Sequence, residues 1–355
     1  MNTTVEIFGY AREPGWLPSA VQYFFLIGVS IGAFFLSLPG LVWGRAEWRG
    51  VSRRALLAAL VCGLTAPVAL LADLHQPGRF LNFYLHPNFG SWMAWGSFFI
   101  PIYLFGLLLY AWLCLRPRLA VLAGEGGPLA PIYRTLAYGG YRNAGAIRAA
   151  ALVAGVGALT VLLYTGMEMM VIGARSLWHT PVLPLLYAVT AVTGGLGMTG
   201  LFEAANGRSA AAPVLNRWLE RCQWLTLALL GVWLVLGFTG LSTAAAEALA
   251  AMNGSLGWLA SFAWLIASIL AILWAARRPG SLLLLALFAL QLAWTVRWIV
   301  FMGGQALAKI GAATYAYSVS LTPDSLLGIL GTAGLCLVLY IVLTSLVPWD
   351  DSAEA

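Results

Sequence analysis

An all-α polytopic membrane fold of about nine transmembrane helices, N-terminus outside and C-terminus inside, is what this sequence predicts, and three observations predict it. Of 355 residues, 61% are hydrophobic and only 9% charged, against roughly 25% charged in an ordinary soluble domain. So few charges cannot cover a water-facing surface. Apolar runs of membrane-spanning length recur along the whole chain, and Arg and Lys alternate between crowded and nearly empty connections.

The runs fall near 18–43, 55–73, 92–115, 148–172, 181–202, 223–243, 256–276, 281–302 and 325–347. Each is long enough to cross roughly 30 Å of hydrocarbon. The segment before the first run, MNTTVEIFGYAREPGWL, carries two Glu and lacks a basic n-region, so that run is expected to stay as a membrane helix. The seventh and eighth runs are parted by Arg277, Arg278, Pro279 and Gly280, two cations and a turn dipeptide that predict a tight hairpin. Gly28 with Gly32, and the group Gly194, Gly195, Gly197 and Gly200, have the spacing that lets helices approach closely in lipid. Sixteen Trp residues suit interfacial aromatic belts.

Orientation follows from the basic residues, because positively charged loops stay in the cytoplasm. Arg45, Arg49, Arg53 and Arg54 lie in loop one, Arg116, Arg118, Arg134, Arg142 and Arg148 in or beside loop three, Arg208, Arg217 and Arg221 in loop five, and Arg277 and Arg278 in loop seven. The alternate set holds Arg12, Arg79, Arg175 and Lys309, while Arg297 lies inside a span. Fourteen basic residues against four place residue 1 outside and the end of the chain, with Asp350 and Asp351, inside.

The net charge of +6 is spread over these loops and forms no basic patch with stacking aromatics, which excludes nucleic acid as a partner. The bilayer is the partner composition demands. Cys62, Cys114, Cys222 and Cys336 lie far apart in apolar runs with no CxxC pair, so they read as packing residues rather than disulfides or cluster ligands. His75, His86 and His179 all fall in outer loops or at their margins. A membrane b-type haem takes axial His from within helices, and zinc or di-iron sites need ligand clusters; neither pattern is present.

Ionisable groups within spans are costly and therefore functional candidates. Asp73 ends the second run at its outer side. Glu168 lies about one turn inside the outer end of the fourth, with Tyr164 one turn deeper on the same face. Arg297 has a similar depth in the eighth run and Gln22 in the first, and no comparable charge is read in the inner leaflet. Each has a plain structural reading: Glu168 and Arg297 as an ion pair, Tyr164 as a packed aromatic, Asp73 as a cap. Together they suit a pocket for a polar headgroup whose long tail stays in lipid, with quinone the natural occupant. Quinol oxidation releases two protons, which a carboxylate or His near the outer mouth accepts as a general base.

Loop two, from Asp73 to Trp92, is too apolar and aromatic for a plain solvent loop; it reads as a re-entrant or interfacial segment, or as a docking surface for a soluble subunit. Its motifs DLHQPGRF and HPNFGSWMAWGSFFIP, with YTGMEMMVIGARSLWHTPVLPLLY from Tyr164 to Tyr187, resemble the membrane-subunit family of NrfD and polysulfide reductase. The resemblance covers the first eight spans, a core of about 18–302, with an extra C-terminal helix at about 325–347 in a single domain of 1–355. The opening GWLPSAVQYFFLIGVSIGAFF and the ninth span resemble most the tetrathionate-reductase branch.

The resemblance implies a haem-free helical subunit of the bacterial inner membrane that binds menaquinol or ubiquinol near the outer face. It implies two partners there, a ferredoxin-like four-cluster iron-sulfur subunit and a molybdopterin catalytic subunit that reduces tetrathionate or a related sulfur compound. By match to the motifs, Asp73, Arg79 and Tyr164 carry over; some relatives add a His from helix one, where this chain has Gln22. The candidate set is Asp73, His75, Tyr164 and Glu168 for proton handling, with Gln22, Asp73, Arg79, Tyr164, His179 and Arg297 around the headgroup. The same pocket run in reverse is a quinone reductase. A secondary transporter and a plain membrane anchor are the other readings, though transporters place polar sites at mid-membrane between repeats.

Two expectations follow from these patterns. An alkaline phosphatase fused after Ala355 will be inactive, because the C-terminus faces the cytoplasm; an active fusion would remove at least one span. The visible spectrum of the purified subunit will be featureless, and a Soret band that follows the protein through purification would overturn the reading of its His and Cys residues.

Overall fold

The computed structural model describes residues 15–207, 210–253, 255–278, 280–307, 317–347 and 349. Expectations resting on Arg12, Arg208, Pro279, Lys309, Asp350 and Asp351 lie outside the described residues. Lipid offers no partner to backbone N–H and C=O groups, so a long apolar run satisfies them internally as a helix. Nine helices among the described residues are long and apolar enough to cross a membrane. They are α1 (Pro18–Leu41), α2 (Arg49–Asp73), α3 (Trp92–Glu125), α4 (Ala144–Met170), α5 (Val182–Ala205), α6 (Ala212–Phe238), α7 (Leu256–Ala275), α8 (Leu282–Ala306) and α9 (Leu326–Leu346). Within α8 the residues Ile299–Gly303 form a π-helical turn.

The helices outrun the apolar runs where charged side chains can reach the membrane boundary. α3 continues past Arg116 to Glu125, and there the Arg116 guanidinium donates to the carbonyls of Tyr138 (3.3 Å) and Tyr141 (2.7 Å) and lies over the Trp112 ring. α6 begins at Ala212, well before the run, and its Glu220 pairs with Arg277 at 2.8 Å. The same helix stops at Phe238, because Gly240 turns the chain at a φ of +72°. A short helix, Thr243–Met252, follows, its first turn capped by the Ser242 hydroxyl on the Ala245 N–H. Periodicity missed it because TAAAEALAAM continues the apolar run without a break. Between α7 and α8 the expected hairpin is present, Gly280 holding a φ of +75°.

α1 is the hub. Nearly all its side chains are buried, and it contacts α2, α4, α5, α8 and α9. Its closest approach is to α5, where the two glycine groups meet: a Cβ on Gly32 would strike the Ala191 carbonyl, and one on Gly195 would strike the Ala33 nitrogen. Backbones packed at that distance gain dispersion contacts that lipid tails cannot supply. α9 is peripheral, with Thr332 its one buried residue, and polar contacts tie it to the bundle. Gln22 of α1 donates to the Thr332 hydroxyl at 3.0 Å, and Cys336 lies 3.4 Å from the Thr65 hydroxyl of α2.

One expectation is corrected at the end of the bundle remote from loop two. Arg54 and Glu203, both buried, face each other across α2 and α5 with Nε to Oε1 at 3.5 Å, and Arg54 also donates to the Trp349 carbonyl. Charges are therefore buried at both ends. Helix α2 starts at Arg49, so Arg54 lies in its second turn and faces inward, whereas the crowd of arginines there had read as loop.

Gly195→Val will lower the midpoint of thermal unfolding in detergent, since an overpacked backbone contact costs on the order of 3 kcal/mol. Gly231→Ala, where the new methyl meets open space, will not; equal midpoints in the two variants would refute the tight α1–α5 contact.

Candidate functional site

At the end of α2, Asp73 points its carboxylate at the start of α1, where Oδ1 accepts the Leu17 N–H at 2.9 Å. Pro18 opens α1 immediately after, so the free N–H groups and the positive end of the α1 dipole surround the carboxylate. Asp73 thus caps α1. It also lines a cavity of about 300 Å³ bounded by α2, α3, α4 and loop two.

The walls are mostly apolar. Pro67, Leu70 and Leu71 come from α2, Ile100, Pro101 and Leu104 from α3, Phe80, Phe83 and Tyr84 from loop two, and Trp16 from the entry to α1. The polar residues of the lining are Asp73, Ser97, Tyr164 and Glu168, with Tyr164 and Asp73 near Glu168. Tyr164 and Glu168 share a face of α4 because they are one turn apart. The Tyr164 ring lies against Gly96 of α3, where a Cβ would collide with it. Gly96 is thus the small residue in an aromatic run that lets the phenol seat itself.

Glu168 is buried, yet both its carboxylate oxygens lack a hydrogen-bond partner. The Tyr23 hydroxyl next to it is also buried and forms no hydrogen bond of standard geometry, with the Tyr164 phenol as its neighbour. Nearly all buried polar atoms in folded proteins are paired, so an orphaned acceptor pair at a cavity wall marks a place for a donor.

The expected ion pair of Glu168 with Arg297 does not form. Arg297, 2% exposed, donates Nε–H to the Phe24 carbonyl (2.8 Å) and Nη1–H to the Thr190 hydroxyl (3.0 Å) and the Ala293 carbonyl (2.8 Å). Its guanidinium lies over the Tyr187 ring. The fork is consumed by α1, α5 and its own helix, away from the cavity, and no carboxylate pairs with it among the described residues. Gln22 is also turned away: its Oε1 accepts the Trp294 indole N–H at 2.7 Å while its amide reaches Thr332. His179 is exposed with Nδ1 2.8 Å from the Met170 carbonyl, and it lines neither this cavity nor the next.

Loop two folds as a turn at Pro77–Arg79 and a single helical turn at Asn82–Leu85, largely exposed. Beneath it a second, more polar cavity of about 530 Å³ is lined by His75, Gln76, Arg79, Asn82, His86 and Asn88. Leu74, Phe80, Phe83 and Met93 border both cavities. His75 and Arg79 therefore belong to an outer vestibule, and Asp73, Tyr164 and Glu168 to the inner chamber. Partial burial raises the Tyr84 phenol of the inner chamber above its ordinary pKa. Trp16, Gly96 and Ser97 are cavity residues that the sequence reading does not single out, and only the small Gly96 amid aromatics offers a signal. No group of three or more potential metal ligands occurs among the described residues.

Comparison with known proteins matches residues 11–309 to the family described as "Polysulphide reductase, NrfD". The chain is 32% identical over 345 residues to a tetrathionate reductase subunit of Salmonella typhimurium, covering 95% of this chain and 94% of that one. It is 30% identical over 184 residues to a polysulfide reductase chain of Wolinella succinogenes, covering 50% and 55%. With a selenate reductase subunit of Mesobacillus selenatarsenatis the identity is 23% over 192 residues, covering 50% and 45%. The family match ends just beyond α8 and leaves α9 outside it, whereas the likeness to the Salmonella protein spans nearly the whole chain. With nine apolar helices and a family match over most of its length, this multi-pass membrane protein belongs to the NrfD family.

Proposed function

We propose that this chain is the haem-free, quinol-oxidising membrane subunit of a respiratory oxidoreductase complex. Its partners are then an iron-sulfur subunit and a molybdopterin catalytic subunit docked on the outer face of the bacterial inner membrane, where loop two lies. The likeness to a tetrathionate reductase subunit supports a sulfur compound as the terminal acceptor. The observation that carries the reading is the inner chamber: an apolar cavity of about 300 Å³ with Asp73, Tyr164 and the unpaired Glu168 in its lining. A quinol offers what that group lacks, two O–H donors on a flat apolar ring, and an isoprenoid tail suits walls built from Leu, Ile and Pro.

Oxidation releases two electrons and two protons from the quinol. The electrons pass to an iron-sulfur cluster of the partner, so the ring must lie near the docking face. Glu168 and Asp73 accept the O–H groups as hydrogen bonds and then as protons. Tyr164 orients the ring by donating to an oxygen, and His75 in the vestibule takes protons toward water. The same geometry serves quinone reduction when the electrons arrive from the partner. Arg79 acts at the vestibule mouth, while Arg297 and Gln22 hold helices rather than touch the ring.

Asp73→Asn and Tyr164→Phe will lower quinol oxidation by at least about 100-fold, the lower range of general-base contributions. The assembled complex should keep full activity with an artificial soluble electron donor, which bypasses this subunit. If both variants assemble and oxidise quinol at the unaltered rate, the chamber is not the site.

A further inference from the structure

The connection between α4 and α5 carries two side chains, Arg175 and Trp178, that bond to the end of α8. Arg175 Nη1–H donates to the carbonyls of Gln305 (2.9 Å) and Leu307 (2.8 Å), and its guanidinium lies over the Trp178 ring. The Trp178 indole N–H donates to the Val300 carbonyl at 2.5 Å, and its ring occupies the space a Cβ on Gly304 would need. Arg175 satisfies carbonyls left open at the helix end, and Trp178 adds a second donor to the Val300 carbonyl, which the Gly304 N–H also reaches. The terminal turn so locked presents one long polar side chain, Gln305, to the entry of α1.

There Gln305 makes a two-way bridge to the backbone of residue 16. Its Oε1 accepts the Trp16 N–H at 2.9 Å, and its Nε2 donates to the Trp16 carbonyl at 3.0 Å and to the Phe301 carbonyl at 3.2 Å. The Trp16 indole packs edge-on against Phe301 and Phe24, with ring centroids 5.8 and 6.3 Å away, and forms part of the inner chamber wall. The next residue, Leu17, gives its N–H to Asp73. Two consecutive residues are thus anchored from opposite sides, one by Gln305 and one by the carboxylate of the chamber.

We infer that Gln305 is a positioning residue for the chamber: its carboxamide, carried on a helix end whose backbone Arg175 and Trp178 hold, sets the Trp16 indole as the wall against which the quinol ring packs. The inference rests on the quinol reading proposed above. With Gln305 removed, Leu17 still holds Asp73, so proton acceptance persists while the wall loosens. The effect falls on binding of the ring rather than on turnover.

The test uses membrane vesicles with the whole complex and a short-chain naphthoquinol as probe. Gln305→Met, which keeps the length and loses both bonds, should raise KM about tenfold with kcat within about twofold. Gln305→Glu, which keeps the acceptor for the Trp16 N–H, should recover most of the KM. Arg175→Lys should shift it in the same direction as Gln305→Met, by less. The protein labelled with fluorotryptophan gives a second readout, the ¹⁹F line of Trp16, assigned by its absence in Trp16→Phe. That line should move in Gln305→Met and, in the unaltered complex, on addition of the naphthoquinone. An assembled Gln305→Met complex with an unchanged KM overturns the inference, whether or not the line moves. Failure of the quinol reading would show differently: the naphthoquinone would leave the Trp16 line of the unaltered complex in place, and Asp73→Asn and Tyr164→Phe would oxidise the quinol normally.

Discussion

The buried guanidinium of Arg297 places its hydrogen bonds on neutral oxygens: carbonyls of α1, of α5 and of its own helix, and the hydroxyl of Thr190 on α5. A cation buried in a membrane bundle is costly unless its donors are met. Meeting them here ties three helices together at the level where α1 passes between α5 and α8. That arrangement has a consequence on the other side of α1. With Arg297 committed elsewhere, Glu168 has no cation to pair with, and its oxygens stay open at the chamber wall. A direct Glu168–Arg297 pair would have closed off the acceptor that the proposed quinol site relies on.

On the quinol reading proposed above, the two chambers divide the work that an amphiphilic substrate imposes. The inner one is mostly apolar with few polar residues in its lining, and it lies among membrane helices, which suits a ring with a tail in lipid. The outer one is lined by His, Arg, Asn and Gln of a largely exposed loop, which suits the passage of protons to water. Asp73 joins the systems. As the last residue of α2 it would be poorly placed at its own helix C-terminus, but the N-terminus of α1 offsets this and holds the carboxylate at the chamber edge. One group therefore closes the packing of two helices and faces the site. A structural cap and a proton acceptor are compatible roles, because a carboxylate has two oxygens, each with more than one lone pair.

The fold was legible because lipid leaves an apolar run of twenty residues little choice but a helix, and all nine spans follow from that constraint. The glycine groups Gly28/Gly32 and Gly194/Gly195 were legible as close-packing faces, and they meet one another across α1 and α5. Less visible was where helices end, as α3 and α6 show: charged residues that read as loop extend a helix once their side chains can reach the boundary. Arg54 was read as loop for the same reason, although it faces Glu203 within the bundle.

By itself the sequence determined the number of spans, the family motifs, and the depth of Asp73, Tyr164, Glu168, Arg297 and Gln22, since depth depends only on position along a helix of fixed rise. Which of these residues share a chamber was decided by the tertiary structure. Depth is a one-dimensional quantity, whereas partnership depends on the rotation of each helix and on the order of helices around α1. Those rotations are set by glycine contacts and by the carbonyls that Arg297 and Gln305 seek, groups present on every residue of the chain and therefore invisible as a pattern. They put Tyr164 and Glu168 beside Asp73, turned Arg297 and Gln22 away, and brought Trp16 to the wall.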